Sequence, residues 1–177
     1  MRSANNKHRK GSELMDKRDR ALRDHLLYLL RGGGAHLHFS EAIKGLPKKL
    51  RGKKPAEESH TPWQLLEHMR IAQWDILEFT RNAKHVSPPW PEGYWPATDA
   101  PADDKAWDES VKAFLADLEA MEALVDDPST DLYTPLAHGE GQTPLREALL
   151  TADHNAYHLG QMALVIKMLK ADKKKGS

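Results

Sequence analysis

The sequence predicts an all-α protein, folded as an antiparallel four-helix bundle. Four long segments place apolar residues three and four positions apart, which is the spacing of an amphipathic helix. No segment shows a convincing alternation of apolar and polar residues, the pattern expected of a half-buried β-strand. Helices joined by loops pack around a shared core, and 177 residues provide enough apolar material for a single domain of this kind.

The first predicted helix runs from about Leu14 to Arg31. Three glycines follow it, and because glycine is unfavourable inside a helix we expect the helix to end there. A shorter helical piece comes next, from Ser40 to Gly45, with the Ser40 side chain capping its first turn. The apolar face of the first helix is formed by Leu22, Leu26 and Leu29.

The second predicted helix has a strong start signal. Thr61 can cap the helix, Pro62 fits the first helical position because no N–H is needed there, and Gln64 can complete a capping box. The helix should reach about Arg81. Its inward face is formed by apolar residues at helical spacing, namely Leu65, Met69, Ala72, Ile76 and Phe79.

The third and fourth predicted helices complete the bundle. The third runs from about Asp103 to Val125, where an Asp-Asp-Pro run ends it. The fourth begins at Thr143 and Pro144, the same pair of residue types that opens the second helix, and can continue to Lys170. The inward face of the third helix is formed by Val111, Phe114, Leu118, Met121 and Val125.

A long connection, residues 82–102, separates the second and third predicted helices. It contains five prolines, so it cannot form a regular helix. Loops of this length are uncommon in compact domains and are often lids over binding sites. Two hypotheses stay open for its aromatic side chains: they plug one end of the bundle, or they form a lid over a site at that end. These side chains are Trp90, Tyr94 and Trp95.

Composition limits the classes of function. Twenty-six basic residues balance 26 acidic ones, whereas proteins that neutralise many phosphates carry a basic excess, so we expect no nucleic-acid partner. No segment approaches the roughly 20 apolar residues that span a bilayer, and the N-terminus lacks the apolar core of a signal peptide. We therefore expect no membrane partner and a cytoplasmic location. One helical domain should cover residues 12–171, between polar, disordered tails at 1–11 and 172–177.

Three histidines are the candidate ligands of a metal ion. His154 and His158 lie four positions apart on the fourth helix, so both side chains project from one face and can reach the same ion. His68 lies beside the apolar face of the second helix, where an imidazole without a partner would lose its hydration. The chain has no cysteine, so histidine and carboxylate groups are the remaining strong metal ligands.

The fourth helix has two opposite faces that both need covering. The metal hypothesis requires the histidine face to point into the bundle. The other face, an alanine-rich stripe, then packs against another helix or a second subunit, and a homodimer is the expected assembly. The alanine stripe consists of Leu145, Ala148, Leu149, Ala152, Ala156, Leu159, Ala163 and Ile166.

Three motifs resemble those of the DinB-like superfamily, metal-dependent four-helix proteins that include the YfiT type and several small-thiol transferases. The motifs are WQLLEH at 63–68, WPEGYWP at 90–96 and DHNAYHLGQ at 153–161, and the resemblance covers about Leu22 to Leu169. It implies a divalent ion, often nickel, zinc or iron, held by one histidine of the second helix and two of the fourth. The matching positions are His68, His154 and His158.

Such a site allows several functions. Three imidazoles leave coordination positions open, so the ion could activate water for hydrolysis or hold a thiol cofactor for transfer to a small-molecule substrate. Alternatively the ion is structural and pins two helices together in a non-catalytic bundle, or the histidines only pack and bind no metal. Glu67, Asp75 and Glu147 lie within helical reach and could orient the ligands or act as a base, although each also fits a solvated helix surface.

Overall fold

The protein is all α-helical, as predicted. The computed structural model describes the backbone of residues 3–34 and 37–175 and the side chains of 17–34 and 37–171. Within these residues it contains five α-helices, two short 3-10 turns and no strand. The helices are α1 (Ser3–Leu30), α2 (Phe39–Ile43), α3 (Pro62–Arg81), α4 (Asp104–Asp126) and α5 (Pro144–Lys175).

The first helix differs from its prediction in start and in orientation. It begins at Ser3 rather than near Leu14, because Gly11 is the one strongly helix-breaking residue between them and lysine, arginine and glutamate tolerate a helix well. Leu29, predicted to face inward, is 47% exposed, and the buried face is formed by Leu26, Leu27 and Leu30. The disorder predicted for residues 1–11 and 172–177 stays a prediction, because the side chains of these residues lie outside the described part of the chain.

The short helix α2 begins at Phe39, so the prediction that Ser40 caps it was wrong. The N-cap residue is His38, and its side chain makes no capping hydrogen bond. Phe39 is buried and its ring centroid lies 4.3 Å from that of Phe114 on α4. Packing of this aromatic pair, rather than a polar cap, therefore decides where the helix lies.

Helix α3 matches its predicted bounds. The Gln64 backbone N–H donates to the Thr61 side chain at 3.1 Å, and the Gln64 side chain accepts from the Thr61 N–H at 3.0 Å. Pro62 occupies the first helical turn. This capping box, with its two orphan N–H groups satisfied, explains why the sequence located the start of α3 correctly.

The four long helices enclose the core, with α3 packed against α4 and α5, and with α1 packed against the same two helices. Gln73 on α3 is fully buried and links three of them: its Nε2 donates to the Phe114 carbonyl at 2.7 Å, and its Oε1 accepts from Asn155 Nδ2 at 2.7 Å. Buried hydrogen bonds through Gln73 therefore join α3, α4 and α5. None of the described helices is both long and apolar enough to cross a bilayer.

Candidate metal centre

The three candidate histidines converge at one point between α3 and α5. His68 Nε2 lies 3.1 Å from His158 Nε2 and 3.2 Å from His154 Nε2. All three offer a ring nitrogen within 4.8 Å of the other two. His68 and His158 are buried, at 4% and 8% exposure, and His154 is half-buried. The histidine face of α5 therefore points into the protein, which was the condition for the metal hypothesis.

The outer ring nitrogens of two histidines are held by acceptors. His68 Nδ1 donates to the Tyr94 carbonyl at 2.9 Å, and His158 Nδ1 donates to the Gln161 amide oxygen at 2.9 Å. Because a carbonyl can only accept, the proton of each neutral ring lies on Nδ1 and the lone pair lies on Nε2. The two lone pairs then face each other across 3.1 Å. Two facing lone pairs repel each other unless a cation or a proton lies between them.

His154 differs from the other two histidines. Its Nδ1 is buried and has no hydrogen-bond partner among the described residues. Burial, together with the nearby His158 and His68, lowers the pKa of His154 to about 4. Burial also lowers the pKa values of His68 and His158. All three imidazoles are therefore neutral at pH 7, which is the form that coordinates a metal.

These donors fit a divalent ion. Nitrogen ligands lie about 2.0–2.1 Å from zinc, so two of them at tetrahedral or octahedral angles lie roughly 2.8–3.4 Å apart. The two measured Nε2 separations, 3.1 and 3.2 Å, fall in this range. Neutral imidazole suits zinc, nickel and iron. The cluster could therefore hold any of these ions.

The proline-rich loop between α3 and α4 covers the cluster. The Trp95 indole stacks on the His68 ring with centroids 3.9 Å apart and planes 2° apart, and it also stacks on His60 at 4.2 Å and meets the His158 ring edge-on at 6.4 Å. Tyr94 supplies the carbonyl that holds His68. Trp90 contacts Tyr94 but is 75% exposed. Thus two of the three aromatic residues proposed as a lid contact a histidine of the cluster.

Asp75 is connected to the cluster through Tyr94. Its carboxylate accepts from Tyr94 Oη at 2.6 Å and from His85 Nε2 at 2.7 Å, and it is only 8% exposed. Asp75 therefore anchors the tyrosine whose own carbonyl orients His68. Burial and the hydrogen bond to Asp75 raise the pKa of Tyr94 to about 12, so the phenol keeps its proton and donates it.

The other two acidic candidates are engaged elsewhere. Glu67 pairs with Arg70 at 2.7 Å, and although burial raises the pKa of Glu67, Arg70 and Ser110 lower it to a value below the ordinary one. Glu147 is 1% exposed and pairs with Arg146 at 2.7 Å. No described hydrogen bond joins either carboxylate to the three histidines. Glu67 is one position before His68 and so lies about 100° around α3 from it, whereas Glu147 lies on nearly the same face as His154 but about 10 Å before it along α5.

A family comparison agrees with this architecture. The family model of the DinB superfamily matches residues 37–162, which is more than two thirds of the chain and includes all three histidines. The chain belongs to the DinB superfamily. No curated protein and no solved structure matches it.

Sequence reasoning missed several groups that surround the three clustered histidines. The Tyr94 carbonyl carries no side-chain signal, and its distance of 26 residues from His68 hides the contact. Gln161 lies three positions after His158 on the same helical face, so its spacing alone could have identified it as an acceptor. His85 and His60 lie outside the predicted helices, and only the loop conformation brings them beside Asp75 and Trp95.

Proposed function

We propose that this protein is a divalent-metal-dependent enzyme, in which the Nε2 atoms of the three histidines hold one ion. One observation carries the proposal: the Nε2 atoms converge while two Nδ1 atoms are already committed to acceptors. A core that needed only packing would not point bare nitrogen lone pairs at one another. The ligands proposed are His68, His154 and His158.

Three protein donors leave part of the coordination sphere for other groups. Bound nickel, zinc or iron would supply Lewis acidity, which activates water or stabilises a thiolate. The chain has no cysteine, so the thiol in the second case would come from a small cofactor. The proposed reactions are thus hydrolysis, or transfer of a small thiol to a small-molecule substrate. In either reaction His68 and His158 stay neutral and oriented because Tyr94 and Gln161 hold their Nδ1 protons.

A structural ion is the second candidate function. The exposed fractions of His68 and His158 are only 4% and 8%, and Trp95 lies flat on the His68 ring. A sealed and fully coordinated site joins two helices without catalysis. In this case the protein acts through its surface, and the ion pins α3 to α5.

Several wider features form part of the proposal. The four long helices would make the antiparallel bundle of the DinB and YfiT type, in a cytoplasmic protein that binds neither nucleic acid nor membrane. A homodimer would form through exposed apolar side chains in the C-terminal part of α5. In support, Leu164 and Met168 are 59% and 41% exposed, so this part of α5 has apolar surface without cover from the described residues.

Metal analysis of tag-free protein tests the ligand set. We expect about one equivalent of nickel, zinc or iron per chain, and its loss in His158→Ala or His68→Ala, because two imidazoles bind a divalent ion much less tightly than three. His25→Ala is the matched control, since His25 is exposed on α1. Metal content that is unchanged in His158→Ala would contradict the assignment.

Activity measurements separate the enzyme from the structural site. The metal-loaded protein would be assayed with ester and amide substrates, and with small thiols plus electrophiles. Activity that disappears in His158→Ala, while the folded state is retained, supports the enzyme. One equivalent of bound metal without turnover of any of these substrates, together with a drop in thermal stability on chelation, would favour the structural ion.

A further inference from the structure

A large cavity lies on the side of α5 away from the histidines. Its volume is about 580 Å³, within the range of roughly 300–1,000 Å³ typical of small-molecule sites. None of the three histidines lines it. Its walls come mainly from α1, α4 and α5, with Phe39 of α2 and Met69 of α3. They are mainly apolar, with Leu30, Leu115, Leu118, Ala152, Ala156 and Leu159 among them.

The alanine stripe accounts for this space. Ala152 and Ala156 occupy wall positions of α5 where leucine would project into the cavity. The Arg31 guanidinium pairs with Glu122 at 2.7 Å, and both residues line the cavity. These two charges neutralise each other, and Asp153, the other acidic residue of the lining, is exposed to solvent. The inner wall of the cavity therefore presents a surface suited to an uncharged molecule.

Among the other polar residues that line the cavity, His38, Ser40 and Asp153 are exposed, whereas Asn155 carries a buried amide oxygen. Asn155 lies between the histidine side and the alanine side of α5, and its Nδ2 donates to Gln73. This bond sets the orientation of the amide, so the other end, Oδ1, is an acceptor. Oδ1 is buried and accepts no hydrogen bond from any described residue. A buried amide oxygen without a donor is costly, and a ligand that brings an N–H or O–H group removes this cost.

We propose that this cavity binds a small, uncharged and largely apolar molecule whose single hydrogen-bond donor faces Asn155. The apolar part of the ligand would contact the leucine and alanine walls, where burial of its surface provides the main binding free energy. The donor would pair with Asn155 Oδ1 and determine the orientation of the ligand. This site goes beyond the proposed function, because it lies across α5 from the metal centre and does not need the ion.

A matched pair of probes tests both parts of the proposal. 2-Naphthol and 2-methoxynaphthalene share one ring system, but only 2-naphthol donates a hydrogen bond. Equilibrium dialysis with the full chain, stripped of metal by a chelator, should show binding of both, with 2-naphthol about three- to tenfold tighter, the ratio expected for one added hydrogen bond. Readdition of zinc should leave both affinities unchanged.

Two variants locate the site. Ala152→Phe fills the cavity and should abolish binding of both probes, whereas Ala116→Phe, at an exposed position of α4, should leave binding intact. Should Ala152→Phe fail to fold, Asn155→Leu provides the second test, since it removes the acceptor and should equalise the two affinities.

Four results would overturn the proposal. Absence of binding by both probes removes the site, and equal affinities in the unmodified protein remove the role of Asn155. Binding that needs zinc would assign the probes to the metal centre. Affinity that falls with rising protein concentration, in step with dimer formation, would show that a second copy of the chain occupies this face. Apart from zinc-dependent binding, which concerns the metal centre, these results leave the metal proposal unchanged.

Discussion

The two sides of α5 differ in how their side chains meet the rest of the protein. On the histidine side, His158 Nδ1 and His68 Nδ1 donate to acceptors, and the Trp95 indole covers the His68 ring. On the alanine side, small side chains such as Ala152 and Ala156 leave a cavity of about 580 Å³. The histidine side thus depends on hydrogen bonds to the loop and within α5, whereas the alanine side depends on the small size of its own residues.

The difference shows how one helix can separate a polar site from an apolar one. Imidazole nitrogens need defined partners in a buried environment, and these come from α3, from the loop and from α5 itself. The cavity, in contrast, needs only side chains that are too small to fill the space between the helices. Asn155 and Gln73 lie between the two sides and join α5 to α3.

Loss of the hydrogen bonds of Gln73, which lies between the two sides, should cause the largest decrease in the free energy of unfolding. Gln73→Leu removes the donor to the Phe114 carbonyl and the acceptor of Asn155 Nδ2. Asn155 Nδ2 then lacks a partner and the Phe114 carbonyl keeps only its helical hydrogen bond, so we expect a decrease of about 3 kcal/mol in the free energy of unfolding. Urea denaturation followed by circular dichroism measures this change.

Lys112→Leu is the control for that experiment, because Lys112 is exposed on α4 and its replacement should change the free energy of unfolding by less than about 0.5 kcal/mol. A Gln73→Leu variant as stable as this control would show that the two sides of α5 are not joined energetically through Gln73.

Acidification should have the second largest effect, a decrease of about 2 kcal/mol in the free energy of unfolding that originates on the histidine side. Burial, with His158 and His68 nearby, lowers the pKa of His154 to about 4, from about 6.5 in the unfolded chain. As the pH falls below 6.5 the unfolded chain binds a proton that the folded chain does not, so stability decreases until pH 4 is approached. For metal-free protein, His154 alone should reduce the free energy of unfolding by about 2 kcal/mol between pH 7 and pH 5.

Urea titrations at several pH values measure this slope. His154→Gln should flatten it because the titrating group is gone, and His25→Gln should not, since His25 is exposed on α1. A slope that His154→Gln leaves unchanged would assign the acid sensitivity to other groups.

Local signals explain what the sequence predicted correctly. The start of α3 depends on Thr61, Pro62 and Gln64, which are neighbours in sequence, and the capping box forms as expected. The spacing of His154 and His158 places both on one face of α5. Such features depend on helix geometry alone and were sufficient for the fold class. The assignment of His68 to the same cluster also needed its place beside the apolar face of α3 and the family resemblance.

Contacts between distant segments explain what was missed. Leu29 was expected inside, but the docking of α1 on α4 and α5 buries Leu27 and Leu30 instead. Periodicity indicates that a helix has an apolar face, not which residue at its edge is covered. The route from Asp75 through Tyr94 to His68 depends on the fold of a proline-rich loop, which has no repeating pattern to interpret.

The smallest effect we expect comes from Asp75, which acts on the histidine side through that route. Asp75→Asn keeps the size of the side chain but replaces one acceptor oxygen by a donor, so Tyr94 and His85 compete for the remaining oxygen. Tyr94 then holds its carbonyl less firmly against His68 Nδ1. We expect about a tenfold loss of metal affinity, measured by competition with a chelator, which is typical when a group that orients a ligand is replaced.

The control is Asp108→Asn, at an exposed position of α4, and it should leave the metal affinity unchanged. Naphthol binding on the alanine side should stay the same in both variants, because neither position lines the cavity. If Asp75→Asn weakened both sites equally, a general loss of stability would explain the result. If it changed neither site, the stack of Trp95 on His68 would suffice to hold the loop, and the histidine side would depend on that aromatic contact rather than on hydrogen bonds from Asp75.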